Sequence, residues 1–184
     1  MSLLDAPHGY HRPVTFPISL TPEQIAVVAR RFVAIRWSWS AAEIDRVLAE
    51  LGWSRIKEDG PRRPSVLART GLPTGAATVM CSGDVALSIG LAVTRAAEGA
   101  DSAVTAVRRD ALYTASNAVT SVAGDPAERR PGARPEVRWL VSSGTVRVRD
   151  DGDRVELALL SALYAAEPAE PPAEWDGDED GERP

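Results

Sequence analysis

Leu20-Thr21-Pro22-Glu23-Gln24-Ile25 and Trp39-Ser40-Ala41-Ala42-Glu43-Ile44 each spell a complete helix start. In the first, Thr21 caps, Pro22 takes the first helical position and Gln24 closes a capping box. Leu20 and Ile25 are spaced as a hydrophobic staple. In the second, Ser40 caps, Glu43 closes the box, and Trp39 and Ile44 form the staple. The spacing predicts helices over Pro22 to Ile35 and Ala41 to Leu51, joined at Trp37-Ser38-Trp39 as an αα-hairpin. Ile25, Val28, Ala29 and Phe32 make the buried stripe of the first. Ile44, Val47, Leu48 and Leu51 make that of the second. Gly52 ends the second helix, with Trp53 placed for a Schellman-type contact.

Strands follow. Ser65 to Thr70 and Ala76 to Ser82 are short extended segments. Val85, Leu87, Ile89, Leu91 and Val93 alternate with Ala86, Ser88, Gly90, Ala92 and Thr94, a period of two with one strongly apolar face. From Asp101, Val104, Val107, Ala111, Ala115, Ala118 and Val122 form a helical stripe that Gly124 stops and Pro126 bars from resuming. Val137, Trp139 and Val141 then alternate. Val146 and Val148 oppose Thr145, Arg147 and Arg149. Asp150-Asp151-Gly152-Asp153 is a hairpin turn before Val155, Leu157 and Leu159. The expected fold class is α+β, an N-terminal αα-hairpin followed by β-β-β-α-β-β-β. Its sheet is antiparallel, with the helices packed on one face.

Residues 1–19 lack periodicity and are expected to be a flexible arm. Residues 20–165 form a single domain large enough to fold unaided. Residues 166–184 are expected to be a disordered acidic tail. The formal net charge of -5 resides there: residues 167–184 hold eight acids and one base, leaving 18 acids against 20 bases elsewhere. The first residues show no basic and apolar export pattern, and the apolar run Val85 to Val93 is too short to cross a bilayer. The expectation is a cytoplasmic protein with no membrane partner.

Chemistry is sparse. Both histidines, His8 and His11, lie in the arm, so no Ser-His-Asp or Cys-His arrangement forms in the body unless the arm folds back. The one cysteine, Cys81, excludes an internal disulfide and a cysteine metal site, and it reads as a small hydrophobe. No phosphate loop is present, and no cofactor or metal is expected. The stretch Arg129 to Trp139 joins guanidinium groups to an aromatic, a pairing used at protein hot spots. Its candidate contact residues are Arg130, Arg134, Glu136, Arg138 and Trp139, with Trp37 from the hinge. The weakly basic body and acidic tail disfavour nucleic acid.

The Trp37-Ser38-Trp39 hinge, the Leu51-Gly52-Trp53 helix end, and Arg130-Pro131-Gly132 running into Pro135-Glu136-Val137-Arg138-Trp139 carry a resemblance. Over residues 21–165 the chain resembles small actinobacterial domains of unknown function found near secreted toxins and specialised secretion loci. Its element order is similar to the type III secretion chaperone-like fold. The resemblance implies a non-enzymatic binder of another protein, such as a toxin or secreted substrate, in the manner of an immunity protein or secretion-type chaperone. It supplies no catalytic residues. The alternative is a small-ligand-binding protein or enzyme using Arg and carboxylate residues in a sheet-lined cleft, around Arg138 or Arg147.

Overall fold

The computed structural model describes residues 18–56, 65–94 and 102–166. The two histidines, residues 57–64, Asp101 and the acid-rich stretch after Ala166 lie outside them.

The capping box forms as spelled. Thr21 N–H donates to Gln24 Oε1 at 2.9 Å, and Gln24 N–H to Thr21 Oγ1 at 3.3 Å. Helix α1 runs Pro22–Ala34 and buries Ile25, Val28, Ala29 and Phe32. The second start is built differently. Ser40 caps a 3-10 turn, Ala41–Glu43, and α2 follows as Ile44–Glu50. Glu43 does not close on Ser40; its carboxylate accepts from the backbone N–H and the hydroxyl of Ser38. Between Ser38 and Ser40, Trp39 takes a left-handed φ of +67°. A left-handed bulky residue costs about 1–2 kcal/mol. Its indole N–H donates to Ser143 O at 2.7 Å, and its ring stacks on Trp37 at 4.4 Å, which offset that cost. The far end of α2 closes as a Schellman motif: Trp53 N–H reaches Leu48 O and Gly52 N–H reaches Ala49 O.

Eight strands make one antiparallel sheet: β1 (Ser54–Arg55), β2 (Ser65–Arg69), β3 (Ala76–Ser82), β4 (Val85–Ala92), β5 (Glu128–Arg130), β6 (Glu136–Val141), β7 (Gly144–Asp150) and β8 (Val155–Leu160). Their order is β1-β2-β3-β4-β8-β7-β6-β5. The two four-strand meanders meet where β4 pairs with β8. Each is one strand longer than its alternation predicts. β1 and β5 are two- and three-residue edge pieces, too short and too charged to carry a period.

Helix α3 (Ser102–Ala123) crosses one face, burying Ala111, Ala115, Ala118 and Val119. Its alanines let it lie close. On that face Val79, Ile89, Leu159, Val146 and Trp139 stand in register across five strands and are all fully buried. The Trp139 indole N–H donates to Gly124 O at 3.1 Å, pinning the end of α3 to β6. The predicted αα-hairpin is not the packing unit: α1 packs chiefly against α3, and α2 against β1. Nor do all helices share a face. Ser161 caps a short α4 (Ala162–Ala165) that lies on the opposite side.

The alternation in β4 breaks at its start. A bulge between Met80 and Cys81 shifts the register, so Ala86 enters the core while Val85 is left exposed.

Candidate functional site

The face away from α1 and α3 is where the sequence leaves polar and small residues, and the register arranges them in rows. Glu136, Arg149, Glu156 and Ala92 stand in one row across β6, β7, β8 and β4. Arg138, Arg147, Ala158, Gly90 and Thr78 stand in the next, continuing to β3. Leu140, Thr145, Leu160, Ser88 and Met80 stand in the third. The face is therefore charged at the β5–β7 side, small over β3 and β4, and apolar along one end.

Strand period two sends Glu136 and Arg138 to this face together, and both are buried. Arg138 Nε lies 2.8 Å from Glu136 Oε1, and Arg130 Nη1 reaches the same oxygen at 3.2 Å. Arg138 Nη1 also donates to Ala165 O at 2.9 Å, tying α4 to the sheet. Arg147 Nη2 donates to Glu156 Oε2 at 2.9 Å. Arg149 lies against Asp151, and Arg108 of α3 against Asp150 at the hairpin. At the β5 edge, Arg130 donates to Glu128 at 2.7 Å. That bond holds the Glu128 carboxyl below its ordinary pKa and the Arg130 guanidinium above its own.

Beside this network lies a half-open cleft of about 360 Å³. Its floor is Ala76, Thr78, Gly90 and Ala92, and Glu156, Asp153, Arg154, Thr74 and Thr94 line the rest. Gly90 keeps that floor low: a Cβ there would come 3.0 Å from Glu156 Oε1 and 3.1 Å from Ala158 Cβ. At the other end of the face Leu140 is 76% exposed and Leu163 of α4 is 68% exposed.

Of the sequence-predicted residues, Arg130, Glu136 and Arg138 come together. Arg134 lies in the exposed loop before β6. Trp139 and Trp37 are not surface anchors. Trp139 is 1% exposed on the opposite face. Trp37 is 7% exposed, its indole N–H donating to Ser40 O. Aromatic residues beside arginines in sequence point to opposite faces of a strand, which the motif alone conceals. Sequence reasoning left Arg149, Glu156, Leu140 and Leu163 unassigned and weighed Arg147 only for the alternative. Their strand parity was readable; the register that assembles them was not. Among the described residues no group of three or more His, Cys, Asp or Glu side chains could hold a metal ion. None of their helices is long and apolar enough to cross a membrane.

Fold and site define an α+β domain on one open antiparallel sheet, sealed by helices on one face and carrying a charged, partly covered surface on the other. The chain belongs to a family of unknown function, DUF6301, whose model it matches over residues 23–161. No curated protein and no solved structure matches it.

Proposed function

We propose that this domain is a non-enzymatic protein-binding module whose contact surface is the sheet face opposite α1 and α3. The observation that carries the reading is the pairing of exposed Leu140 and Leu163 with the buried Glu136–Arg138–Arg130 network on that one face. Apolar anchors rimmed by organised charge are the usual composition of a protein contact. The sheet's other face is spent on α1 and α3. The resemblance to toxin- and secretion-associated actinobacterial domains supports an immunity protein or secretion-type chaperone of the cytoplasm, with a toxin or secreted substrate as partner.

Affinity capture with the full chain, against purified products of the neighbouring genes, tests this. One product should be retained, and L140E and L163E should each weaken retention about tenfold or more, as loss of a buried contact residue does. Retention of none, or retention untouched by both variants, refutes it.

The cleft over Gly90 favours a second reading, a small-ligand site or enzyme using Glu156 and Arg154. A metabolite that raises the melting temperature of the full chain, but not of the cleft-filling A92L variant, would favour it instead.

A further inference from the structure

On the open face and its hairpin most charges have a partner. Glu136, Glu156 and Asp151 pair with Arg138, Arg147 and Arg149, and Asp150 pairs with Arg108. The cleft over Gly90 departs from that pattern. Asp153 and Arg154, adjacent in the turn between β7 and β8, both line it and both are exposed. Neither side chain has an ion pair or a hydrogen bond among the described residues, although the two charges are opposite. Hydroxyls line much of the rest. Thr74 is 9% exposed, and its hydroxyl has no hydrogen-bond partner among the described residues. Thr94 is 2% exposed; its Oγ1 accepts from Val155 N–H at 3.0 Å, which leaves its O–H to donate. Thr78 adds a third hydroxyl from the floor. Glu156 commits Oε2 to Arg147 at 2.9 Å. Its Oε1 stands over the floor, 3.0 Å from where a Gly90 Cβ would sit, and accepts no bond among the described residues. Its charge is answered by Arg147, so Oε1 serves here as an acceptor only.

A buried hydroxyl without a partner asks for one. Here such hydroxyls, a free acceptor and one unpaired charge of each sign converge on about 360 Å³, room for a small molecule. We propose that this cleft binds a small zwitterion of the amino-acid class. Its carboxylate meets Arg154 and the threonine hydroxyls, and its amine meets Asp153 and Glu156 Oε1. This narrows the small-ligand reading of the cleft and rests on it. The cleft lies at the other end of the face from Leu140 and Leu163, so a protein contact there does not block it. A phosphate would bring its charge against Asp153 and Glu156. A purely apolar ligand would leave the hydroxyls and both charges unmet. Among the described residues no aromatic ring lines the cleft on which a nucleobase could stack.

The test is a melting-temperature screen of the full chain against the standard L-amino acids, with calorimetric titration of the strongest. At least one should raise the melting temperature and saturate. The same carbon frame without its amine, or without its carboxylate, should bind about tenfold or more weaker, the loss expected for a hydrogen bond to a charged group. R154M and D153N should each weaken binding about as much. Both residues are exposed, so folding should survive either change. T74V should weaken binding several-fold. The proposal is overturned if no amino acid shifts the melting temperature, or if inorganic phosphate or either half-molecule binds as tightly. It is also overturned if R154M and D153N both bind as well as the unmodified chain, or if the amino acid still binds the cleft-filling A92L variant. A metabolite that is not a zwitterion, and whose stabilisation A92L abolishes, sinks this inference alone and leaves the small-ligand reading standing. A chain that no metabolite stabilises sinks both.

Discussion

Replacing Glu136 by glutamine should destabilise the domain by about 3 kcal/mol. The side chain is 6% exposed and is the carboxylate for two guanidiniums, Arg138 at 2.8 Å and Arg130 at 3.2 Å. E136Q keeps the shape and removes the charge. Breaking a buried pair by removing one partner costs about 3–5 kcal/mol, because the remaining charge stays buried. Two features place this case at the low end. Arg130 is 34% exposed, so its share is screened. Arg138 also keeps its bond to Ala165 O. Urea unfolding followed by tryptophan fluorescence reads the loss as a midpoint lowered by about 1–3 M, for a slope of about 1–3 kcal/mol/M. E128Q is the control. Glu128 is 44% exposed and pairs with Arg130 at the surface, so its loss should move the midpoint far less than E136Q does. Removing both buried partners, in E136L/R138M, should recover most of the loss, since an apolar pair avoids the desolvation cost. An E136Q variant within about 0.5 kcal/mol of the unmodified chain would refute the account, as would a double variant that loses the sum of the two singles.

Three further outcomes follow from particular groups. G144A should cost about 2–5 kcal/mol, since its φ is +150° and a Cβ would lie 2.1 Å from Leu160 O. G83A, left-handed with open space around it, should cost about 1–2 kcal/mol, so equal losses in chemical denaturation would show that the Leu160 contact is harmless. The Glu43 carboxyl is held below its ordinary pKa by the Ser38 hydroxyl, the Ser38 N–H and then Arg46. Its contribution to stability is thus full above the unfolded carboxylate value of about 4.3 and lost as pH falls through the folded value. E43Q should flatten the acid limb of stability against pH, and an unchanged limb would refute this. Burial pushes the Cys81 thiol up, with Arg55 opposing more weakly, so iodoacetamide at mildly alkaline pH should label it more slowly than free cysteine. Faster labelling would contradict the burial.

Much of the fold was legible because its signals are local. A capping box joins residues three apart, and the Thr21–Gln24 and Gly52–Trp53 features formed as spelled. The side of a strand on which a residue stands depends on parity alone, so Arg147 and Val148 were correctly put on opposite faces. Parity failed only at the bulge opposite Met80 and Cys81, where Leu87 is one residue extra in β4: Ala86 turns into the core and Val85 is left outside, while Ile89 and Leu91 keep the expected face. The edge strands β1 and β5 were missed because two or three residues carry no period.

The site was legible only as a list of residue types. Local order put Glu136, Arg138 and Trp139 side by side, yet the strand sends the tryptophan into the core and the two charged groups to the other face. Chain-local rules reach a few residues; the contacts that assemble the surface do not. Arg138 meets Ala165 across 27 residues, and Trp39 meets Ser143 across 104. Caps, turns and alternation are thus properties of neighbouring residues and can be read from the chain. Register, the partner of each helix, and which face stays open are set by distant segments competing to bury apolar surface, and they exist only once the chain has packed.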